Sequence, residues 1–151
     1  MKFGQAIDSV LFKNYFNLQG KATRSEYWWF MLFFLLFNLV AGIVVGIVLG
    51  ITSGGDLDPE SFSLYYTLAT LALFLLPLLG LSVRRFHDAG RGTREAIVIF
   101  VLAIVSQLIV PMGEQGAIIE VTESLIMPAW IVFGSTSLYS LYIALKKSVE
   151  S

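Results

Sequence analysis

Tyr27–Ile51 reads YWWFMLFFLLFNLVAGIVVGIVLGI, 25 residues without a single Asp, Glu, Lys, Arg or His. A helix rises 1.5 Å per residue, so about 20 residues cross a hydrocarbon layer about 30 Å thick. Helices buried in soluble cores are usually shorter and keep a polar stripe, whereas this run is apolar all round. Three more uncharged runs follow, 62–83, 96–112 and 125–145, of 22, 17 and 21 residues. They predict an all-α membrane protein with four transmembrane helices, 27–51, 62–83, 96–112 and 125–145, in one domain spanning 1–151. In that reading 1–26 is a cytoplasmic or interfacial segment, 27–145 a four-helix bundle and 146–151 a cytoplasmic tail. Composition agrees, with 56% hydrophobic and only 14% charged residues where soluble domains carry about 25% charged.

Charge placement orients the bundle. All ten Lys and Arg residues lie in 1–26, 84–95 and 146–151, and none in 52–61 or 113–124. Because Lys and Arg in short loops stay on the cytoplasmic side, both termini and the middle loop are expected there. The net charge of -1 thus divides into +5 on the cytoplasmic side and -6 outside. The first apolar run is too long for a cleavable signal and reads as a retained anchor. No nucleic-acid partner is expected.

With no cysteine, disulfides, thiolate metal sites and cysteine nucleophiles are excluded. His87 is the only histidine, and a lone imidazole beside one carboxylate makes a poor zinc site, so neither a metal nor a cofactor is expected.

Ahead of the first span, Phe3, Ile7, Val10, Leu11 and Leu18 recur at helical spacing. They predict a short amphipathic helix at the interface, anchored by Phe12, Tyr15 and Phe16, or else folded under the bundle as a plug. Thr23 stands three residues before Glu26, the spacing of a capping box. Trp28 and Trp29 follow at interfacial depth. Within the span, Asn38, Gly42, Gly46 and Gly50 share one face, a helix-packing seam toward another helix of this chain or of a second copy. Thr136, Ser140 and Ala144 form a second small-residue face, and Pro77 and Pro128 are expected to kink their helices.

The densest polar stretch is Arg84-Arg85-Phe86-His87-Asp88-Ala89-Gly90-Arg91-Gly92, at the cytoplasmic mouth of the second span. On a continuing helix Arg84, Asp88 and Arg91 would share a face, Gly90 would end it and Thr93 would cap the next. The bland reading is topogenic: arginines that stop transfer and snorkel to the interface. The functional reading joins this stretch to Arg24 and Glu26 at the mouth of the first span. Glu26 would pair with Arg85 or Arg84, and Arg24 with Asp88, in a network that either fixes the hairpin or holds an anion.

Taken together, Gly20-Lys21-Ala22-Thr23-Arg24-Ser25-Glu26-Tyr27-Trp28-Trp29-Phe30 and Arg84-Arg85-Phe86-His87-Asp88-Ala89-Gly90-Arg91 resemble the bacterial membrane family named domain of unknown function 805. The likeness covers most of the chain, with two departures: Gly20-Lys21 where the family has Gly-Arg, and Gly92-Thr93-Arg94 where it has Ser-Gly-Trp. It implies a bacterial inner-membrane protein and brings no activity, cofactor or catalytic residue with it.

Three functions compete. A small-solute transporter or channel is disfavoured by the absence of ionisable residues from the four runs, in which Asn38 and Gln107 are the only carboxamides. A lipid-headgroup enzyme using His87 would need Asp88 or Glu26 as orienter, yet adjacent helical residues diverge by about 100°. The favoured reading is a non-enzymatic bundle, as a monomer or homo-oligomer, whose Arg24, Glu26, Arg84, Arg85, His87, Asp88 and Arg91 network engages anionic lipid, a partner membrane protein or both.

Overall fold

The computed structural model describes the backbone of residues 1–52, 59–114 and 123–148, and side-chain surroundings for 1–51, 65–106 and 127–148. A short helix α1 (Phe3–Asp8) runs into a π-helical turn over Ser9–Lys13, followed by α2 (Arg24–Thr52), α3 (Pro59–Asp88), α4 (Thr93–Glu114) and α5 (Glu123–Leu145). No strand occurs among the described residues. Among the described residues, three helices are long and apolar enough to cross a membrane, over Arg24–Ile51, Tyr65–Asp88 and Met127–Leu145. The remaining expected run, 96–112, lies on α4, and its residues beyond Ser106, including Gln107, fall outside the described side chains. The acidic segments 52–61 and 113–124 lie mostly outside them too.

The helices overrun the apolar runs that announced them. α3 continues five residues past Val83 and carries Arg84, Arg85, His87 and Asp88 on its last turns. It stops at Gly90, whose φ of 76° is a left-handed conformation that costs glycine little. Gly90 N–H donates to His87 O at 3.0 Å and Arg91 N–H to Phe86 O at 2.8 Å, the paired bonds of a Schellman end. α4 starts only three residues later, which accounts for the tight turn the sequence predicts.

Among the described residues, the buried apolar side chains fall into two clusters. Val10, Ala22, Phe30, Phe74 and Leu81 form one cluster, and Val83, Phe86, Ala89, Ala96 and Ile143 a second. Phe74 of α3 sits against Phe34 and Phe37 of α2, with ring centroids 5.1 and 5.0 Å apart in edge-to-face geometry. α4 and α5 pack together most extensively, with Thr136 and Ala144 of the small-residue face buried. The far half of α2 is different: Leu39, Val40, Ile43, Val44, Ile47, Val48 and Ile51 are all exposed. An apolar surface of that extent is rare on a protein surrounded by water and natural on one surrounded by lipid.

The N-terminal segment packs against the bundle through one face and leaves its aromatic residues outside. Ala6 and Val10 are fully buried beneath the bundle, while Phe12 and Phe16 are 77% and 62% exposed. Its helix is shorter than the hydrophobic spacing suggests, because the chain bends at Asn14 and comes back along α3. There it lies so close to Gly80 that a Cβ on that residue would stand 3.2 Å from Asn17 O.

Candidate functional site

Five chain segments meet where α2 and α4 begin and α3 and α5 end. Thr23 starts α2 by accepting the Glu26 N–H on its hydroxyl at 3.2 Å. That is half of the expected capping box. The Glu26 carboxylate turns inward instead, where Oε1 accepts Ser9 Oγ–H at 2.9 Å and Arg84 Nη1–H at 3.0 Å. The Glu26–Arg84 pair is buried, its side chains 5% and 4% exposed. Glu26 therefore takes Arg84 of its two expected partners.

Arg85 faces the other way, toward the end of α5. Its Nη1 is paired with Asp88, and its Nη2 donates to the carbonyls of Ile143 and Ala144, both at 3.1 Å, and of Lys146. The last carbonyls of a helix lack intrahelical partners and carry partial negative charge, and a guanidinium satisfies both needs at once. Arg24 Nη1 donates to Leu145 O at 3.4 Å, so two arginines cover the end of α5. The expected Arg24–Asp88 pair does not form: Asp88 is taken by Arg85 and by Ser148 Oγ–H, which donates to it at 2.7 Å. Arg91 leaves the shared face with Arg84 and Asp88 and pairs with Glu95 at 3.7 Å, and Glu95 also accepts the Tyr139 hydroxyl.

His87 joins the N-terminal segment to the α3–α4 turn. Its Nδ1 lies 3.1 Å from Gly20 O and its Nε2 lies 2.7 Å from Thr93 Oγ1. A carbonyl only accepts, so Nδ1 carries the proton and, in the neutral ring, Nε2 accepts from the Thr93 hydroxyl. Both ring nitrogens are therefore committed to structure. Gly20 presents its carbonyl from a left-handed φ of 86°.

Three buried nitrogens keep no acceptor among the described residues: Nε and Nη2 of Arg84 and Nε of Arg85. Each guanidinium is neutralised by one carboxylate, and the remaining unmet donors make further disruption costly. Among the described residues no three His, Asp or Glu side chains cluster as metal ligands do. Around the buried core runs an exposed rim of Lys2, Lys21, Arg24, Arg91, Arg94 and Lys147, with Trp28 and Trp29 beside it.

The seam on α2 divides in two. Asn38 accepts the Tyr66 hydroxyl on its backbone oxygen at 2.9 Å and on Oδ1 at 3.1 Å, and a Cβ on Gly42 would lie 3.8 Å from that same hydroxyl. Among the described residues, Gly46 and Gly50 would meet nothing within 4 Å. Ser9, Ser148, Tyr66, Tyr139 and Gly80 complete these contacts, and none is marked by the sequence. Only Gly80 leaves a trace, a lone glycine in the apolar run Leu78-Leu79-Gly80-Leu81.

A family profile described as Protein of unknown function (DUF805) matches residues 15–147. The Inner membrane protein YhaI of Escherichia coli (strain K12) is 35% identical over 93 residues, 62% of this chain and 69% of that protein. The same-named protein of Escherichia coli O157:H7 matches to the same extent. No solved structure matches. The profile runs from the aromatic N-terminal segment, through both arginine-bearing motifs, to the end of α5, and the chain belongs to the DUF805 family.

Proposed function

We propose that this chain is a non-enzymatic inner-membrane bundle, folded as one domain, whose cytoplasmic face binds anionic phospholipid headgroups. In this reading α4 is the fourth span: its 22 residues extend about 33 Å at helical rise. The loop 84–95 and both termini are cytoplasmic in this reading, which the gathering of every Lys and Arg in 1–26, 84–95 and 146–151 supports.

The observation that carries the reading is the division of basic residues into two layers at one end of the bundle. Arg84 and Arg85 are buried, 3% and 1% exposed, and fix the helix ends together with Glu26, Asp88 and His87. Arg24, Arg91 and the other rim cations are exposed beside aromatic side chains suited to the headgroup layer. Each exposed cation near an anionic leaflet contributes about 1 kcal/mol, roughly a fivefold gain in retention that salt screens.

Native mass spectrometry of the protein in mild detergent, with equal phosphatidylglycerol and phosphatidylcholine, tests it. Phosphatidylglycerol should be retained preferentially, and Arg91→Gln/Arg94→Gln/Lys147→Gln should markedly reduce that preference with the fold intact. Equal retention of both lipids by the unchanged protein refutes the reading. Reporter fusions after Asp56 and after Ser151 test the topology: they should report opposite sides, and agreement between them refutes the four-span arrangement.

A further inference from the structure

A cavity of about 480 Å³ lies between α2, α3 and α4, well away from the basic rim. Its polar wall is Asn38, Tyr66, Thr67 and Thr70, its apolar wall includes Met31 and Leu78, and among the described residues no charged side chain lines it. Volumes of this order, mostly apolar with a few convergent hydrogen-bonding groups, are those of small-molecule sites, which helix bundles build between their helices.

Depth restricts the ligand. Asn38 is 14 residues beyond Arg24, so the polar wall stands about 21 Å along α2, far inside the hydrocarbon layer. A phosphate or carboxylate carried to that depth would lose its hydration without gaining a countercharge. A neutral head loses far less, provided it finds hydrogen bonds.

The hydrogen bonds are on offer. Hydroxyls elsewhere in the bundle bond back to their own helix: Ser106 to Leu102 O and Thr136 to Val132 O, both at 2.8 Å. Thr67 and Thr70 make no such bond among the described residues. Asn38 gives one Nδ2–H to Phe34 O at 2.8 Å and accepts Tyr66 on Oδ1, which leaves its second N–H and one lone pair in reserve. Leu35, at the margin of the cavity, is 64% exposed, so the way in is lateral, from the lipid phase.

We infer that this cavity is a binding site for an uncharged membrane-dissolved lipid, whose carbonyl or hydroxyl head bonds Asn38, Thr67 and Thr70 and whose chain lies along the apolar wall. The site is separate from the anionic surface proposed above and rests only on α2 and α3 lying in the bilayer.

The test uses the full chain in phosphatidylcholine nanodiscs with three diazirine probes: hexadecanol, hexadecane and phosphatidylcholine. Hexadecanol should label the α2 and α3 segments around Asn38 and Thr70 saturably, above its labelling of lipid-facing Ile131 and Leu138, with unlabelled hexadecanol competing. Thr67→Val/Thr70→Val keeps the side-chain shape and should weaken that labelling about threefold per lost hydrogen bond. Leu35→Trp, a change at an exposed margin, should block entry and abolish the labelling, so the test does not depend on the threonine variant folding. Equal labelling of the cavity by hexadecane or phosphatidylcholine, or labelling that both variants leave unchanged, overturns the site and leaves an ordinary lipid-facing groove. None of these outcomes touches phosphatidylglycerol retention at the rim, so the two proposals fail separately.

Discussion

Glu26→Gln is the sharpest single perturbation of the buried network. Glutamine keeps the oxygen that accepts Ser9 and Arg84, so it removes the charge and little else. With Nη1 and Oε1 3.0 Å apart, the charge centres lie about 4 Å apart, where the attraction is about 4 kcal/mol at an effective dielectric of about 20. Removing one partner of a buried pair costs about 3 to 5 kcal/mol, because the other charge is left uncompensated. The lower end applies, since the hydrogen bonds to the side-chain oxygen survive: about 3 kcal/mol, or roughly a hundredfold in the folding equilibrium. Sodium dodecyl sulfate titration in mixed micelles, followed by far-ultraviolet circular dichroism, measures it. A cycle of Glu26→Met, Arg84→Met and the double variant complements it, and the double variant should lie close to the parent, because an apolar pair replaces a buried ion pair without loss. If Glu26→Gln stays within about 0.5 kcal/mol of the parent, or the two Met substitutions simply add, the pair is screened and the argument fails.

Other expectations follow from single contacts. Arg85→Lys keeps the charge but loses the planar fork that holds Asp88 and three carbonyls, so hydrogen exchange at 143–148 should accelerate almost as much as in Arg85→Ala. Rescue by lysine would show that charge alone suffices. Gly80→Leu places a side chain where Asn17 O now approaches and should release residues 1–23 to protease, while Gly80→Ala, at 3.2 Å, should do so only weakly. Protease resistance unchanged in Gly80→Leu would contradict that packing. Gly90→Ala forces a Cβ into a left-handed position and should cost about 1 to 2 kcal/mol in the same titration; a cost near zero would mean that the turn relaxes.

Three of the four expected spans and the end at which the basic residues gather were legible because both are local properties of a run of residues. The partner of each arginine was not. Arg84 and Arg85 are neighbours about 100° apart on one helix, and only the packing of α3 between α2 and α5 sends one to Glu26 and the other to α5. The acceptors of Arg85 at α5 are backbone carbonyls, which look alike at every position of a sequence. Ser9 and Ser148 were unreadable for a related reason: a serine near a helix end carries no sign of which carboxylate it will meet. Gly42 was legible as a small residue on a shared face, but the tyrosine that covers it lies 24 residues away on another helix.

The capping of α5 by Arg85 has a consequence for synthesis. Ile143, whose carbonyl Arg85 needs, is made 58 residues after it. At about 5 to 20 residues per second that interval is roughly 3 to 12 s, during which α3 exists with a guanidinium that has Asp88 but no helix end to close on. Until α5 arrives, Arg85 favours the aqueous border and resists being drawn into the bundle. α5, made after α3, is the helix that lets this arginine go under, so the arrival of α5 and closure of the basic end are the same event.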